Sequence, residues 1–260
     1  MTEFVDINGI EMEYFSFGTG KKVFVILPGV SVKSVMQSER AICSAYRDFT
    51  DDYTVYVFDR RLNMPEDYTV RQMADDTAAV MAELGLSDLY IFGASQGGMI
   101  ALCLAIYHPE LVAKVVLGST TSRYNSSASS TDMWIELARR GDLIALTASF
   151  IDSLYSENTL GSYKDLLIHM NDDATGRDIE RFIIQTKAIY NFNVYDQLEK
   201  IKCPVLVVGV EGDKVIPPSE SVAIADKIGC ELYMYGKEYG HCVFDEAPDY
   251  KQRMIDFFNK

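Results

Sequence analysis

Residues Gly93-Ala94-Ser95-Gln96-Gly97 set a serine between two glycines, at the point where an apolar run, 89–92, gives way to a helical pattern, 96–107. A serine at so sharp a turn can expose its hydroxyl as a nucleophile, provided that its own backbone is strained and the residues two before and two after it lack bulk. Gly93 and Gly97 meet that demand, and Gly98 extends the small face so that a helix can pack closely on a sheet. The start of the helix directs free N–H groups and a partial positive charge at the serine, which favours a developing oxyanion. Five residues of this kind also occur as a plain glycine-rich turn, so the strand and helix around them carry much of the argument.

A serine hydroxyl needs a base, and the base needs an orienting acid. The chain holds three histidines. His108 precedes Pro109 at the end of the helix that Ser95 begins, which puts it roughly 15–20 Å from the serine at ~1.5 Å per residue. His169 lies in a run of helical pattern, 166–170, and reads as a polar position on an amphipathic helix. His241 falls in Tyr239-Gly240-His241-Cys242, a glycine-bearing loop after the apolar run 231–235 and before the last helix, where a base late in the chain belongs. The acid candidate is Asp213, in the loop that follows the apolar run 205–208, with Glu211 as its rival on the same loop. The order serine, acid, histidine is the order that accompanies this type of turn.

With these residues in place the chain resembles the α/β-hydrolases, and among them the esterase- and lipase-like serine hydrolases that carry a helical cap. The likeness covers nearly the whole length. The resemblance implies Ser95 as nucleophile, His241 as base and Asp213 as acid. It also implies the backbone N–H groups of Gln96 and of Val30, in the loop after the third strand, as the oxyanion donors. Two departures stand out. Relatives mostly carry histidine-glycine where this chain has Pro28-Gly29, and proline offers neither a ring donor nor a backbone N–H. Where relatives have a glycine-rich turn, this chain has Asp59-Arg60-Arg61-Leu62-Asn63-Met64-Pro65, a bulkier loop expected to line the pocket with Leu62 or Met64.

The elements that must position these residues alternate regularly. An opening hairpin, 4–7 and 10–17, turns at Asn8-Gly9. Strands are expected at 23–27, 54–58, 89–92, 112–117, 205–208 and 231–235, and helices at 35–49, 70–84, 96–107, 218–228 and 248–259. Short Val- and Ile-rich runs separated by helices imply an α/β fold with a mainly parallel sheet covered on both faces. Such sheets bind ligands at the carboxyl ends of their strands, and Val30, Ser95, Asp213 and His241 all follow strands there.

Residues 120–196 break the alternation. A Ser/Thr-rich link, 119–131, leads into helical patterns at 132–140, 143–155, 163–171 and 178–192. The segment reads as a helical cap inserted into a core made of 1–119 and 197–260. Its large apolar side chains, Trp134 and Phe150 among them, are expected to roof an apolar pocket.

Composition sets the outer bounds. A chain of 260 residues, 48% hydrophobic and 24% charged, can bury a large core and is not disordered as a whole. Five scattered cysteines without a C-x-x-C pair indicate neither a disulfide framework nor a zinc site, and Cys242 beside His241 reads as apolar filler. The first residues are acidic where a signal peptide would be basic, and the longest nearly apolar stretch, 97–107, is too short to span a bilayer; a cytoplasmic location without membrane association is expected. A net charge of −14 with dispersed basic residues disfavours nucleic acid.

The expectation is a serine hydrolase, a monomer or homodimer, that forms an acyl-enzyme on a small to medium, largely uncharged ester, thioester or amide and needs no metal or organic cofactor. The alternatives are C–C bond hydrolase or peptidase chemistry on the same three residues, or a ligand-sensing protein with slow turnover.

Overall fold

A computed structural model describes residues 1–124 and 130–260; the middle of the Ser/Thr-rich link, 125–129, lies outside the described residues. The chain opens with the antiparallel hairpin β1 (Glu3–Ile7) and β2 (Ile10–Phe17), turned by Asn8 at φ 52° and Gly9 at φ 78°. This left-handed pair is what an Asn-Gly turn allows at low cost. There follow β3 (Lys22–Leu27), α1 (Glu39–Ala45), β4 (Tyr53–Phe58), α2 (Val70–Glu83), β5 (Leu89–Ala94), α3 (Gln96–Tyr107) and β6 (Val112–Gly118). After the helices α4 (Thr131–Arg140), α5 (Leu143–Leu154), α6 (Glu157–Leu167) and α7 (Gly176–Lys187), the alternation resumes. It ends with β7 (Val205–Val210), α8 (Pro218–Ile228), β8 (Glu231–Tyr235), α9 (Val243–Glu246) and α10 (Tyr250–Asn259).

Among the described residues the strands form one sheet in the order β1-β2-β4-β3-β5-β6-β7-β8, antiparallel at β1, β2 and β4 and parallel from β4 onward. Successive side chains of a strand point to opposite faces, and both faces here are apolar. Val25 and Leu27 of β3 join a cluster with α2, α3 and α8, while Phe24 and Ile26 join one with Phe49, Phe92, Tyr250 and Phe258. In β7, Val205 and Val207 face the first cluster and Leu206, Val208 and Val210 the second. Each fully buried Phe, Leu or Met contributes roughly 1.5–3 kcal/mol, so this two-sided burial drives the fold. Helix α3 is buried at every position from Gln96 to Ile106, being covered by β5, β6, β3 and α2. Helix α2 is started by a capping box in which Thr69 and Gln72 satisfy each other's backbone N–H, worth about 1 kcal/mol.

The expected helix over 35–49 is broken. Short 3-10 turns at Val35–Ser38 and Arg47–Phe49 flank α1, because Phe49 and Tyr46 leave the helical path to pack on Phe24 at 4.7 and 6.1 Å. The helices expected at 163–171 and 178–192 begin and end earlier, as α6 and α7. Ser156 and Thr175 supply their N-caps with side-chain oxygens. No helix among the described residues is long and apolar enough to cross a membrane.

Helices α4, α5 and α7 pack against the loops that follow β3 and β7. Trp134, Ala138, Leu146, Phe150 and Phe182 bury one another together with Val30 and Val32 from the loop after β3 and Val215 from the loop after β7. Phe150 meets Trp134 edge-on at 4.9 Å and Phe182 at 5.8 Å.

Candidate active site

Ser95 occupies the tip of the β5–α3 turn with φ 54° and ψ −120°, a conformation costly for a residue with a Cβ. The surroundings over-determine it. Its N–H donates to the Gly118 carbonyl at 2.9 Å, and its own carbonyl accepts from the Thr120 hydroxyl at 2.6 Å and from the Gly98 N–H at 2.9 Å. The glycines around it are sterically required. A Cβ on Gly93 would lie 2.4 Å from the Gly97 carbonyl oxygen, one on Gly97 1.9 Å from that of Leu27, and one on Gly98 2.6 Å from Thr120 Cβ.

The loops after β7 and β8 bring His241 and Asp213 into contact. Nδ1 of His241 lies 2.8 and 3.0 Å from the two oxygens of Asp213, both side chains being 2% exposed. A carboxylate only accepts, so Nδ1 carries the proton and Nε2 is left as the acceptor. Asp213 is itself held, because its Oδ1 accepts from the N–H groups of Val215 and Ile216 at 2.8 and 2.9 Å. Glu211, the rival acid, sits on the exposed surface with its N–H bonded to the Tyr235 carbonyl.

The loop bearing His241 is anchored by a residue that the sequence did not single out. Glu246 accepts from the Gly240 N–H at 2.6 Å with one oxygen and from the Ser156 N–H at 2.8 Å with the other, so one carboxylate ties the loop to the start of α6. The Cys242 N–H donates to the Leu154 carbonyl, and a Cβ on Gly240 would fall 2.7 Å from that same oxygen. The Cys242 thiol is buried, which pushes its pKa well above the ordinary value and keeps it protonated.

Gln96 is the first residue of α3, where a helical N–H has no carbonyl one turn earlier. The loop 28–30 lies directly against the serine: a Cβ on Gly29 would be 3.1 Å from Ser95 Cβ and 3.7 Å from its Oγ. Beneath this loop is the buried Arg60, 3% exposed, whose Nη2 donates to the Pro28 carbonyl at 2.7 Å and to Gln96 Oε1 at 2.9 Å. Burial lowers its pKa to about 10, still well above neutrality. Asp59 is 3.9 Å from Arg60 Nη1 and 3.3 Å from Arg181 Nη2 of α7, charge contacts of which the first is too long and the second out of line for a hydrogen bond.

Ser95, Gly29, Val30, His241 and Cys242 line one cavity of about 170 Å³, closed by Met99, Trp134, Phe150, Leu154, Ile189 and Phe244. Trp134 and Phe150 are among the residues that close it. Leu62 and Met64 are not. The Leu62 N–H donates to the Glu11 carbonyl, and Arg177 and Arg181 hold the carbonyls of Leu62 and Arg61, so the loop is pulled down onto β2 and α7. Met64 packs on the α2–α3 cluster instead. The roof is also less uniformly apolar than expected, for Arg123 and Glu220 share the cavity wall, Nε 3.9 Å from Oε2. Glu220 accepts from the Thr121 hydroxyl at 2.8 Å.

The other histidines lie elsewhere. His108 closes α3 and bonds Asp75 at 2.7 Å. His169 lies past the end of α6, exposed and paired with Asp172, rather than on a helix.

An eight-stranded sheet of this order, with a strained serine after β5, defines the class. The chain has the α/β-hydrolase fold, and the family model for the alpha/beta hydrolase fold matches residues 22–146. Among individual proteins it is similar to "Putative carbamate hydrolase RutD" of Rhizobium rhizogenes, 26% identical over 222 residues that cover 79% of this chain and 82% of that one. Solved structures of the same fold include MGS-M2, an alpha/beta hydrolase enzyme from a Medee basin deep-sea metagenome library (TM-score 0.87, 23% identity, covering 99% of this chain and 98% of that one). The enol-lactonase of Burkholderia xenovorans LB400 has a TM-score of 0.86 at 19% identity, covering 99% of this chain and 100% of that one.

Proposed function

We propose that this protein is a serine hydrolase that cleaves a small to medium, largely uncharged ester, thioester or amide through an acyl-enzyme. The observation that carries the reading is the contact of His241 Nδ1 with an Asp213 carboxylate that is itself fixed by two backbone donors, His241 lining the cavity that Ser95 also lines. With Nδ1 protonated and oriented, Nε2 takes the Ser95 proton as Oγ attacks the carbonyl carbon. The N–H groups of Val30 and Gln96 receive the oxyanion, each worth roughly 3 kcal/mol. The imidazolium then returns its proton to the departing alcohol, thiol or amine. Water, deprotonated by the same Nε2, releases the acid and restores Ser95.

Residues 120–196 act as a cap in this scheme, with Trp134, Phe150 and Leu154 over the acyl group. The relatives named for carbamate and lactone hydrolysis support it in the same direction, since both reactions begin by attack on a carbonyl flanked by a heteroatom.

The test is Ser95→Ala. It should fold as the parent does and lose roughly 10³–10⁶ of kcat on a neutral p-nitrophenyl ester. A fluorophosphonate should label Ser95 in the parent and nothing in the variant. Labelling at Ser31 or Cys242 would overturn the assignment.

A further inference from the structure

We propose that Arg60 is a positioning residue for the oxyanion hole, tethering its two halves to each other and to helix α7. The proposal rests on the acyl-transfer reading and adds to it a residue outside the serine, histidine and acid. A single nitrogen of Arg60, Nη2, spends both its hydrogens on the segments that carry the two oxyanion donors of that reading: the Pro28 carbonyl at 2.7 Å, two residues before Val30, and the side chain of Gln96 at 2.9 Å. Pro28 has no N–H, so its carbonyl is the one backbone group by which a neighbour can hydrogen-bond it. Gln96 passes the tether on, its Nε2 donating to the Gln185 carbonyl in α7 at 2.6 Å. Arg181, also in α7, donates to the Arg61 carbonyl at 3.0 Å.

Fold stability gives no account of this arrangement. Two guanidinium groups, Arg60 and Arg181, share the single buried carboxylate of Asp59, and Nε and Nη1 of Arg60 have no hydrogen-bond partner among the described residues. Burying charge costs several kcal/mol per ion, and an apolar cluster of the same volume is often at least as stable. Rules of this kind are broken at functional sites. Here the excess positive charge lies behind the place where negative charge would develop, and the forked guanidinium bridges two acceptors at fixed geometry as an ammonium does not. A misplacement of about 1 Å in such a hole can cost 10²-fold in rate.

The test uses the full chain, p-nitrophenyl acetate and a fluorophosphonate, with kcat expressed per titratable Ser95. Arg60→Met should lower kcat about 10²-fold and the fluorophosphonate labelling rate in parallel, with KM within about threefold of the parent. In Arg60→Ala, millimolar guanidinium should restore part of kcat. A folded Arg60→Met with kcat within about threefold of the parent would overturn the proposal. So would a loss confined to KM. Should Arg60→Met fail to fold, Arg60→Lys and Gln96→Met decide: about a tenfold loss of kcat at unchanged KM supports the tether, and parent kcat in both removes it. Failure of the parent to label at Ser95 would remove the acyl-transfer reading and the tether with it, whereas normal labelling with an unaffected Arg60→Met removes the tether alone.

Discussion

Asp213 and His241, 28 residues apart in the chain, lie with both carboxylate oxygens within 3.0 Å of one ring nitrogen. The contact holds the imidazole in a single tautomer and leaves Nε2 as the acceptor. Asp213→Asn keeps the shape and presents an N–H to Nδ1, which favours the opposite tautomer. A loss of about 10⁴ in kcat is expected, against a small change for Glu211→Gln. Steady-state rates of the two variants side by side check this, and a larger loss at Glu211 would reverse the assignment of the acid.

Glu246 should matter to stability and to catalysis together. Its two oxygens hold the N–H groups of Gly240 and Ser156, and hydrogen bonds to a charged group contribute about 1.5–3 kcal/mol. Urea unfolding of Glu246→Ala should show a loss of that order, with kcat lowered because the His241 loop loosens. Glu246→Gln, which keeps an acceptor, should lose less of both. Parent values for Glu246→Ala in both measurements would show the clamp to be idle.

The cavity wall should select against acyl groups that end in a carboxylate. Glu220 lies beside Arg123, Nε 3.9 Å from Oε2, so among the described residues the cation on this wall already has a counter-charge. For p-nitrophenyl butyrate against the mono-p-nitrophenyl ester of succinic acid, kcat/KM should favour the neutral ester at least tenfold, a difference of about 1.4 kcal/mol. Glu220→Gln frees Arg123 and should narrow that ratio, the more so at low salt because Arg123 is partly exposed. A parent that turns over both esters equally would contradict the expected preference.

Cys242 should be inert to alkylation. Burial raises its thiol pKa well above the ordinary value, so the reactive thiolate is scarce at neutral pH and its fraction grows only as pH rises toward that raised value. Iodoacetamide at about pH 7.5 is expected to leave esterase activity unchanged. Rapid inactivation with modification mapped to Cys242 would contradict the burial argument.

Much of this was legible in the sequence because the requirements are local. The need for small residues around Ser95 is set within one turn of chain, and the alternation of Val25 and Leu27 with Phe24 and Ile26 reveals a strand buried on both faces. Asn8-Gly9 specified its own hairpin, since both residues take positive φ. Asp213 and His241 could be proposed because each follows an apolar run that had to be a strand.

Tertiary structure alone decided what holds these residues still. Arg60 reaches Pro28 and Gln96 across 32 and 36 residues, Glu246 reaches Ser156 across 90, and Thr121 reaches Glu220 across 99. No periodicity encodes such pairings, because they depend on which loops the sheet order brings to one edge. The same reason sets where Leu62 and Met64 lie: the loop after β4 is held by a backbone hydrogen bond to Glu11 and by the side chains of Arg177 and Arg181 of α7 on its carbonyls. Residue type and spacing therefore determined the candidate nucleophile, base and acid, with Asp213 preferred to Glu211, while the contacts that fix Asp213 against His241 and brace the loop 28–30 depend on long-range packing.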